Sequence, residues 1–284
     1  MKMPSVIIPA HDEEAMIERV IRAVLDEGVE DLECVVVANA CSDRTAEIAR
    51  RFEPAVRVLE TETPGKCNAL NLGERHLTRF PRVFLDGDIV LHEGALKRLI
   101  AASGPKRPII SPMPAFVLNG ATPAIRLFFR AQRFNKYFGG ESPNGSGTFV
   151  LSEEARSRWD TFPEIISDDG FVQGHFAPEE RSVVQDAVAD VGQPRDIPSL
   201  LRVRARVRRG HAELAERHPE LMGNHVARGG SMIRSLLPRP LEWPAMLVYG
   251  YVRIAERLIA GRQLRRDAGL EWGRDQSSRS QDQS

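Results

Sequence analysis

The feature that most constrains the fold is an alternation, within residues 1–104, between short apolar segments and longer segments of helical periodicity. The apolar segments predict buried strands, and apolar side chains that recur every three or four positions predict amphipathic helices. The predicted strands cover residues 6–8, 34–37, 56–59 and 83–85, and the predicted helices cover residues 13–27, 43–48, 66–76 and 94–102. This alternation indicates βαβ units and an α/β fold with an open, mostly parallel sheet flanked by helices.

Open α/β sheets bind ligands outside the carboxyl ends of their strands, where residues 9–11, 38–39 and 86–88 fall. Asp86 and Asp88 stand one residue apart where a strand gives way to a loop, so their side chains are expected on the same side. Two carboxylates held in that way suit Mg²⁺ or Mn²⁺, which complete their coordination with water or substrate phosphates. The alternative is an ordinary turn, because Asp and Gly are common turn residues.

Charge and cysteine content restrict the class of protein. The chain has 284 residues, of which 39 are basic and 39 acidic, so its zero formal charge gives no case for nucleic-acid binding. The three cysteines, Cys34, Cys41 and Cys67, lack a Cys-x-x-Cys spacing and predict a reducing compartment rather than a disulfide framework or zinc site. The first residues are too poor in apolar side chains for a signal peptide, so we expect a cytoplasmic globular protein.

The remainder of the chain is less regular, because prolines interrupt it after residue 105. We predict a helix over residues 122–137, short strands and loops over 147–191 with strands at 149–151 and 183–184, and a helix over 198–217. The Arg-Val alternation at 202–208 also fits a strand. The predicted domains are a catalytic domain at 1–217 with halves 1–104 and 105–217, a helical appendage at 218–262, and a disordered tail at 263–284.

Four motifs in this order resemble the family 2 glycosyltransferases. They are residues 6–14 (VIIPAHDEE), 35–45 (VVVANACSDRT), 64–71 (PGKCNALN) and 86–88 (DGD). The resemblance implies a GT-A fold, in which residues 1–104 form a Rossmann-like nucleotide-binding half and helices follow at the C-terminus. It also implies a nucleotide-sugar donor, for which we favour a UDP-sugar over a GDP-sugar.

The resemblance assigns roles to individual donor-site residues. It implies that Asp88 ligates the metal ion directly, and that Asp86 lies near the ribose or reaches the ion through water. The implied donor contacts are Pro9, Ala10, Glu13, Asn39, Lys66, Asp86 and Gly87. The alternative for Lys66 is an exposed lysine at the start of a helix. The alternative for Glu13 is that its negative charge only stabilises a helix N-terminus. The chain has Ala38 and Asn39 where the family usually has an acidic pair, which leaves the donor base open.

The second half is expected to supply the catalytic base. Residues 167–170 (SDDG) resemble the acidic motif of the family, in which Asp169 matches the base and Asp168 stands where Glu is more usual. A carboxylate there can take the proton from an acceptor hydroxyl as that oxygen attacks the anomeric carbon, and one such displacement inverts the configuration. Two solvated loop aspartates are the alternative.

Further residues downstream resemble a diphosphate-binding segment. Arg208 and Arg209 are candidates to bind the diphosphate, because guanidinium suits phosphate, and a basic surface helix is the alternative. The chain lacks the Gln-x-x-Arg-Trp pattern of polymer-making members, which predicts a non-processive enzyme. His211 is a candidate third metal ligand or a structural histidine.

Residues 243–260 are apolar but contain three charged side chains, which argues against a transmembrane helix. Peripheral contact with the inner face of the cell membrane and packing against protein are the two alternatives. The predicted function is metal-dependent, inverting transfer of a single hexose to an acceptor hydroxyl of a lipid, a peptide-derived molecule or a small metabolite. The competing hypotheses are a nucleotidyltransferase, a phosphatase with Asp86 as nucleophile, and a catalytically silent sugar-nucleotide-binding scaffold.

Overall fold

The computed structural model describes residues 2–134, 146–225 and 235–264, within which eight strands form one open sheet. The strands are β1 (Ser5–Ala10), β2 (Glu33–Asn39), β3 (Arg57–Thr61), β4 (Arg82–Leu85), β5 (Ile89–Leu91), β6 (Ile109–Val117), β7 (Thr148–Leu151) and β8 (Arg181–Gly192). Their order across the sheet is β3-β2-β1-β4-β7-β6-β8-β5. Strands β3, β2, β1 and β4 run parallel to one another. Strand β7 is antiparallel to β4 and β6, β8 is parallel to β6, and β5 is antiparallel to β8. The predicted open, mostly parallel sheet is confirmed.

Helices flank the sheet and continue to the C-terminal part of the described chain. They are α1 (Ile17–Leu25), α2 (Thr45–Arg50), α3 (Lys66–Glu74), α4 (Ala95–Ala102), α5 (Pro123–Gln132), α6 (Glu153–Arg156), α7 (Asp168–Gly174), α8 (Ile197–Arg217) and α9 (Trp243–Leu264). Helix α8 excludes the strand alternative for residues 202–208. Residues 135–137 of the predicted helix and 265–284 of the predicted tail lie outside the described residues. Among the described helices, none has an apolar stretch sufficient to cross a lipid bilayer.

Side chains of the parallel strands alternate between two hydrophobic clusters, one on each face of the sheet. Val6 and Ile8 belong to the cluster that includes α1 and α4. Ile7 belongs to the opposite cluster, which includes α3 and α7. Because both faces are covered, the strands are continuous apolar runs, and this explains why the sequence predicted them correctly.

Three elements of the second half differ from the predictions. Strand β6 contains Pro112 and Pro114, which the sequence placed in an irregular segment. The ladder of β6 with β7 covers only Ile109 and Ile110, so the missing proline N–H groups cost no bond to β7, whereas both prolines lie within the ladder with β8.

Strand β8 spans twelve residues where short strands were predicted. Its register against β6 jumps from Val184 opposite Pro112 to Val188 opposite Met113, and this bulge interrupts the alternation that would have revealed one strand. Residues 168–174, predicted as loop, form the short helix α7. Asp168 and Asp169 occupy its first turn, where negative charge stabilises a helix N-terminus.

Candidate active site

A cavity of about 150 Å³ lies beside the carboxyl end of β4. It collects side chains from the start of α3, the end of β4, the start of β7, the first turn of α7 and the middle of α8. Its lining residues are Lys66, Asp86, Ser146, Gly147, Thr148, Phe149, Ile166, Ser167, Asp168, Asp169, Gln173, Arg206 and Val207. Segments predicted separately as donor site and catalytic motif therefore share one cavity.

Lys66 joins the two halves of this cavity. Its Nζ lies 2.7 Å from Asp86 Oδ1 and 2.8 Å from Asp168 Oδ2. Lys66 is the first residue of α3, directly after Gly65, whose φ of 134° is accessible to glycine but rare for other residues. The ammonium group is only 20% exposed, so both ion pairs are largely shielded from water. The alternative of an exposed surface lysine is excluded.

Asp168 and Asp169 differ in environment although they are adjacent. Asp168 is buried, and burial raises the pKa of its carboxyl, an effect that Lys66 partly offsets and that Asp169 and Asp86 reinforce. Asp169 is exposed, and its Oδ1 accepts hydrogen bonds from Ser167 Oγ at 3.1 Å and from the Gly170 N–H at 2.7 Å. Asp169 can therefore meet an incoming molecule, whereas Asp168 holds Lys66.

The charges that face the cavity include carboxylate oxygens, although these atoms do not converge on one point as a ready metal site would. Asp86, Asp168 and Asp169 contribute three carboxylates, against the two cationic side chains Lys66 and Arg206. Oxygen ligands of this kind suit Mg²⁺ or Mn²⁺. Asp88 is half-buried in the turn between β4 and β5 and does not line the cavity.

Gly147 fixes the position of Asp86. Its carbonyl oxygen accepts a hydrogen bond from the Asp86 N–H at 2.9 Å, and its φ is +58°. A Cβ atom at this position would lie 2.7 Å from Ile89 Cγ1 and 3.2 Å from Asp86 Oδ2. The Ser-Gly pair at 146–147 was the signal in the sequence that a close backbone approach occurs here.

Gly87 brings the Asp-Gly-Asp turn against the loop that follows β1. A Cβ atom at Gly87 would lie 3.2 Å from each of Ala10 Cβ, Glu13 Cγ and the Pro9 carbonyl oxygen. Glu13 is only 1% exposed although it is charged. The predicted donor contacts Pro9, Ala10, Glu13 and Gly87 therefore form one neighbourhood.

Hydrogen bonds hold the loops after β1 and β2 together. Asp12 Oδ1 accepts a bond from the Ser42 N–H at 2.7 Å, and the Glu13 N–H donates to Thr45 Oγ1, also at 2.7 Å. His11 Nδ1 donates to the Asn39 carbonyl oxygen at 2.7 Å. These contacts give the strand ends a defined shape before any ligand arrives.

Asn39 has a buried amide without a hydrogen-bond partner among the described residues. The side chain is fully buried at the end of β2, and neither Oδ1 nor Nδ2 finds a partner there. Buried amides normally are hydrogen-bonded, so this group is suited to a ligand that both donates and accepts.

The predicted residues of α8 are not equally close to the cavity. Arg206 and Val207 line the cavity, whereas Arg208 is exposed and neither Arg208 nor Arg209 is part of the wall. The helical period explains why Arg206 lines the cavity. Gly210, four residues later on the same face of α8, lies against Ile166 and Ser167, which also line the cavity. His211 also lies outside the wall, with its ring centroid 6.3 Å from that of His225.

Comparison with known proteins identifies the family of the N-terminal part. The family model described as Glycosyl transferase family 2 matches residues 5–139. This part of the chain belongs to glycosyl transferase family 2. The family 2 region contains the donor-site candidates from Pro9 to Asp88, and it ends before α7.

A curated relative agrees with this assignment, and solved structures share the fold. Glycosyltransferase AglE of Haloferax volcanii is 33% identical over 130 residues, which cover 43% of this chain and 43% of AglE, so the match spans less than half of that relative. Mannosyltransferase PcManGT from Pyrobaculum calidifontis, solved in complex with GDP-Man and Mn²⁺, has a TM-score of 0.59 at 20% identity and covers 95% of this chain and 76% of its own.

A second solved structure shows the same fold. Glucosyl-3-phosphoglycerate synthase from Mycobacterium tuberculosis, in complex with Mn²⁺, uridine diphosphate and glucosyl-3-phosphoglycerate, has a TM-score of 0.56 at 22% identity. The alignment covers 76% of this chain and 80% of that one. The predicted GT-A fold is confirmed.

Proposed function

We propose that this family 2 protein transfers a single hexose from a nucleotide-sugar donor to an acceptor hydroxyl, with inversion and without processive polymerisation. The observation that carries the proposal is the ammonium of Lys66 between Asp86 and Asp168, with Asp169 exposed in the same cavity. The arrangement joins a phosphate-binding cation, a metal-binding carboxylate and a candidate base.

The donor would bind along the carboxyl ends of β1, β2 and β4. Pro9, Ala10, Glu13 and Gly87 would contact the nucleoside, and the buried Asn39 amide would bind the edge of the base. Uracil and guanine each present a ring N–H next to a carbonyl, so one amide can pair with either. We favour a UDP-sugar over a GDP-sugar, and the solved neighbours that contain UDP or GDP-Man support this range of donors.

Asp88 and Asp86 would hold Mg²⁺ or Mn²⁺ together with the donor diphosphate. The bound ion supplies Lewis-acid stabilisation of the charge that develops on the departing diphosphate. Lys66 is placed to neutralise phosphate charge, and Arg206, which lines the cavity, is better placed to do so than Arg208 or Arg209. His211 would be a metal ligand only if it moved towards the Asp-Gly-Asp turn at residues 86–88 when the donor binds.

Asp169 would accept the proton of the acceptor hydroxyl as its oxygen attacks the anomeric carbon. Its exposure gives access to the acceptor, and the hydrogen bonds from Ser167 and Gly170 orient it. A covalent intermediate on cysteine is disfavoured, because burial raises the pKa of Cys34 and Cys67 to about 12 and keeps both thiols protonated. A single displacement with inversion is therefore the simpler route.

The acceptor is a hydroxyl of a lipid, a peptide-derived molecule or a small metabolite, and nucleic acid is not proposed as a partner. We place the protein in the cytoplasm, with peripheral contact at the inner face of the cell membrane through residues 243–260. Three unpaired thiols support a reducing compartment.

The first test measures the melting temperature with UDP-, GDP- and dTDP-sugars, each with and without Mn²⁺. A donor that binds the native state raises the melting temperature by mass action, so a Mn²⁺-dependent rise with one nucleotide is expected. Asp88→Asn should remove the Mn²⁺-dependent part, whereas Asp160→Asn, an exposed acidic residue outside the cavity wall, should retain it. The absence of a shift with every donor in folded protein would contradict the proposal.

The second test separates transfer from binding. Asp169→Asn should lower turnover by about 10²–10⁴-fold, the usual contribution of a general base, and should leave the donor-induced rise in melting temperature unchanged. Asp160→Asn again serves as the control. Unchanged turnover in Asp169→Asn would exclude this base, and donor binding without turnover in the wild type would support the silent sugar-nucleotide-binding scaffold.

A further inference from the structure

Helix α9 exposes a continuous apolar stripe that the proposed transfer reaction does not use. Its members recur at helical spacing and are Trp243, Leu247, Tyr251, Ile254 and Leu258, with exposed fractions of 48, 69, 58, 62 and 59%. Leu241, directly before the helix, is 85% exposed and extends the stripe. We call these six residues the α9 stripe. Contiguous exposed apolar residues of this extent mark an interaction surface rather than ordinary surface scatter.

The opposite face of α9 is already packed, so the stripe is a second and separate face. Val252 is fully buried in the cluster that α5 and α8 share with α9. Ala245 and Ala260 are each 1% exposed. The helix therefore keeps its position through one face and presents the other to the surroundings.

Charged groups around the stripe are cationic on the exposed side. The single acid of α9, Glu256, is buried and forms ion pairs with Arg204 at 2.8 Å and Arg253 at 2.6 Å. Glu242, before the helix, accepts two hydrogen bonds of 2.7 Å from Arg130. The exposed cations on α5, on α9 and beside them are Arg126, Arg130, Arg133, Arg239, Arg257 and Arg262.

We propose that the α9 stripe docks on an anionic lipid bilayer, with its apolar side chains at the boundary of headgroups and acyl chains and the surrounding arginines on the lipid phosphates. An interfacial helix combines these two features, a lipid-facing apolar side and a cationic border. Tryptophan and tyrosine, both present in the stripe, are suited to the membrane interface because they have an apolar ring and a polar atom.

A second copy of this chain fits the surface less well than a bilayer does. A symmetric dimer through the stripe would place each cationic border against the border of its partner, and like charges that face each other oppose association. The exposed side offers no acidic group of α5 or α9 to compensate, because Glu256 is buried. An anionic surface instead gains from those of these arginines that have no ion pair with an acid of the described chain, unlike Arg130, which pairs with Glu242.

Docking through α9 would also orient the catalytic cavity. Helix α8 is bound to α9 through the Arg204–Glu256 ion pair, and the same helix contributes Arg206 to the cavity wall. The cavity therefore has a fixed relation to the bilayer through a single helix. The inference concerns membrane docking and holds whatever the sugar acceptor is.

The test is flotation of the full chain with vesicles of phosphatidylcholine alone and of phosphatidylcholine with 30% phosphatidylglycerol. We expect the wild type to float with the anionic vesicles, and the double substitution Leu247→Glu with Ile254→Glu to lower that affinity by roughly a hundredfold. Met3→Glu changes an exposed apolar residue outside the stripe and should float like the wild type. Arg257→Glu with Arg262→Glu should remove the preference for anionic lipid.

Flotation that is equal in the wild type and the double stripe variant would overturn the proposal, and so would a wild type that never floats. A dimer in sedimentation velocity that the same double substitution dissociates would assign the stripe to a second copy instead. The donor-induced rise in melting temperature, measured on the same variants, should remain unchanged. Loss of that rise in the wild type would count against the sugar-transfer proposal and not against docking.

Discussion

Lys66 forms ion pairs with carboxylates from two segments that are far apart in the sequence. Asp86 follows β4 and Asp168 begins α7, and both lie within 2.8 Å of the same nitrogen. Asp168 is buried beside two other carboxylates, so the folded protein carries a charge that desolvation opposes. Asp168 therefore lowers the stability of the folded protein, as is common for charged residues at functional sites.

Asp168→Asn should therefore stabilise the protein near neutral pH. Burial raises the pKa of Asp168, so the folded state prefers the neutral carboxyl more strongly than the unfolded chain does. The raised pKa leaves the free energy of unfolding unchanged below about pH 4, where the carboxyl is protonated in both states. Its destabilising effect grows as the pH rises towards the raised pKa. Asparagine is neutral throughout, and Lys66 keeps its ion pair with Asp86.

Melting temperatures of the wild type and Asp168→Asn, measured between pH 4 and pH 8, check this prediction. The variant should melt higher at pH 7, and the difference should shrink towards pH 4. A variant that melts lower than the wild type at pH 7 would show that the ion pair with Lys66 outweighs the cost of burial.

At this scale the sequence identified single residues that line the cavity better than it identified their partners. Asp86, Lys66 and Asp169 were predicted from motifs, and all three line the cavity. The contact between Lys66 and Asp168 was not predicted, because it depends on how α7 packs beside α3 and no local pattern encodes that packing. The sequence indicated the arginine cluster at 202–209 but not Arg206 within it. Four arginines at alternating positions, followed by Arg209, gave no indication of which one faces inwards.

Among the elements, the start of β7 sets the shape of the cavity through the backbone of Gly147. Gly147→Ala should destabilise the protein by about 2 kcal/mol or more, because alanine is strained at a φ of +58° and its Cβ would lie 2.7 Å from Ile89 Cγ1. The new methyl group would also displace the Asp86 carboxylate, so the donor-induced rise in melting temperature should fall.

Urea unfolding of Gly147→Ala and of Gly104→Ala measures the effect. Gly104 has no atom within 4 Å of a Cβ position and serves as the matched control, with a change near zero expected. Equal effects of the two substitutions would mean that the backbone of Gly147 adapts and does not fix Asp86.

Apart from the three-residue strand β5, which was not predicted, the strands of the first half could be predicted because each is an apolar run followed by a periodic helix. Strands β6 and β8 could not, since prolines and a bulge break their patterns and the sheet tolerates both through its pairing. Residues 168–174 are too short, and too rich in Gly and Asp, for the helical period of α7 to be recognised.

On the scale of the whole molecule, a buried charge cluster connects the C-terminal helix to the rest of the fold. Glu256 of α9 is buried between Arg204 of α8 and Arg253. Glu256→Gln should destabilise the protein by about 2–3 kcal/mol, because it leaves two arginines without their carboxylate. The loss stays below that of a fully buried pair, since both arginines keep partial contact with solvent.

Glu242→Gln is the control for this prediction, because it removes the carboxylate of the exposed Arg130–Glu242 pair and should change the free energy of unfolding little. Urea unfolding checks both variants. A smaller effect at Glu256 than at Glu242 would contradict the view that the buried cluster anchors α9.

The position of Lys66 also has a consequence for the charge of the cavity when a donor binds. One ammonium group cannot neutralise two carboxylates and a diphosphate at the same time, so a donor that attracts Lys66 leaves Asp168 buried and without its cation. Uptake of a proton by the Asp168 carboxyl would then be favoured, because burial and the neighbouring Asp169 both raise its pKa. Binding of the proposed donor would therefore change the charge beside Asp169, on the side of the cavity that the proposed acceptor would reach.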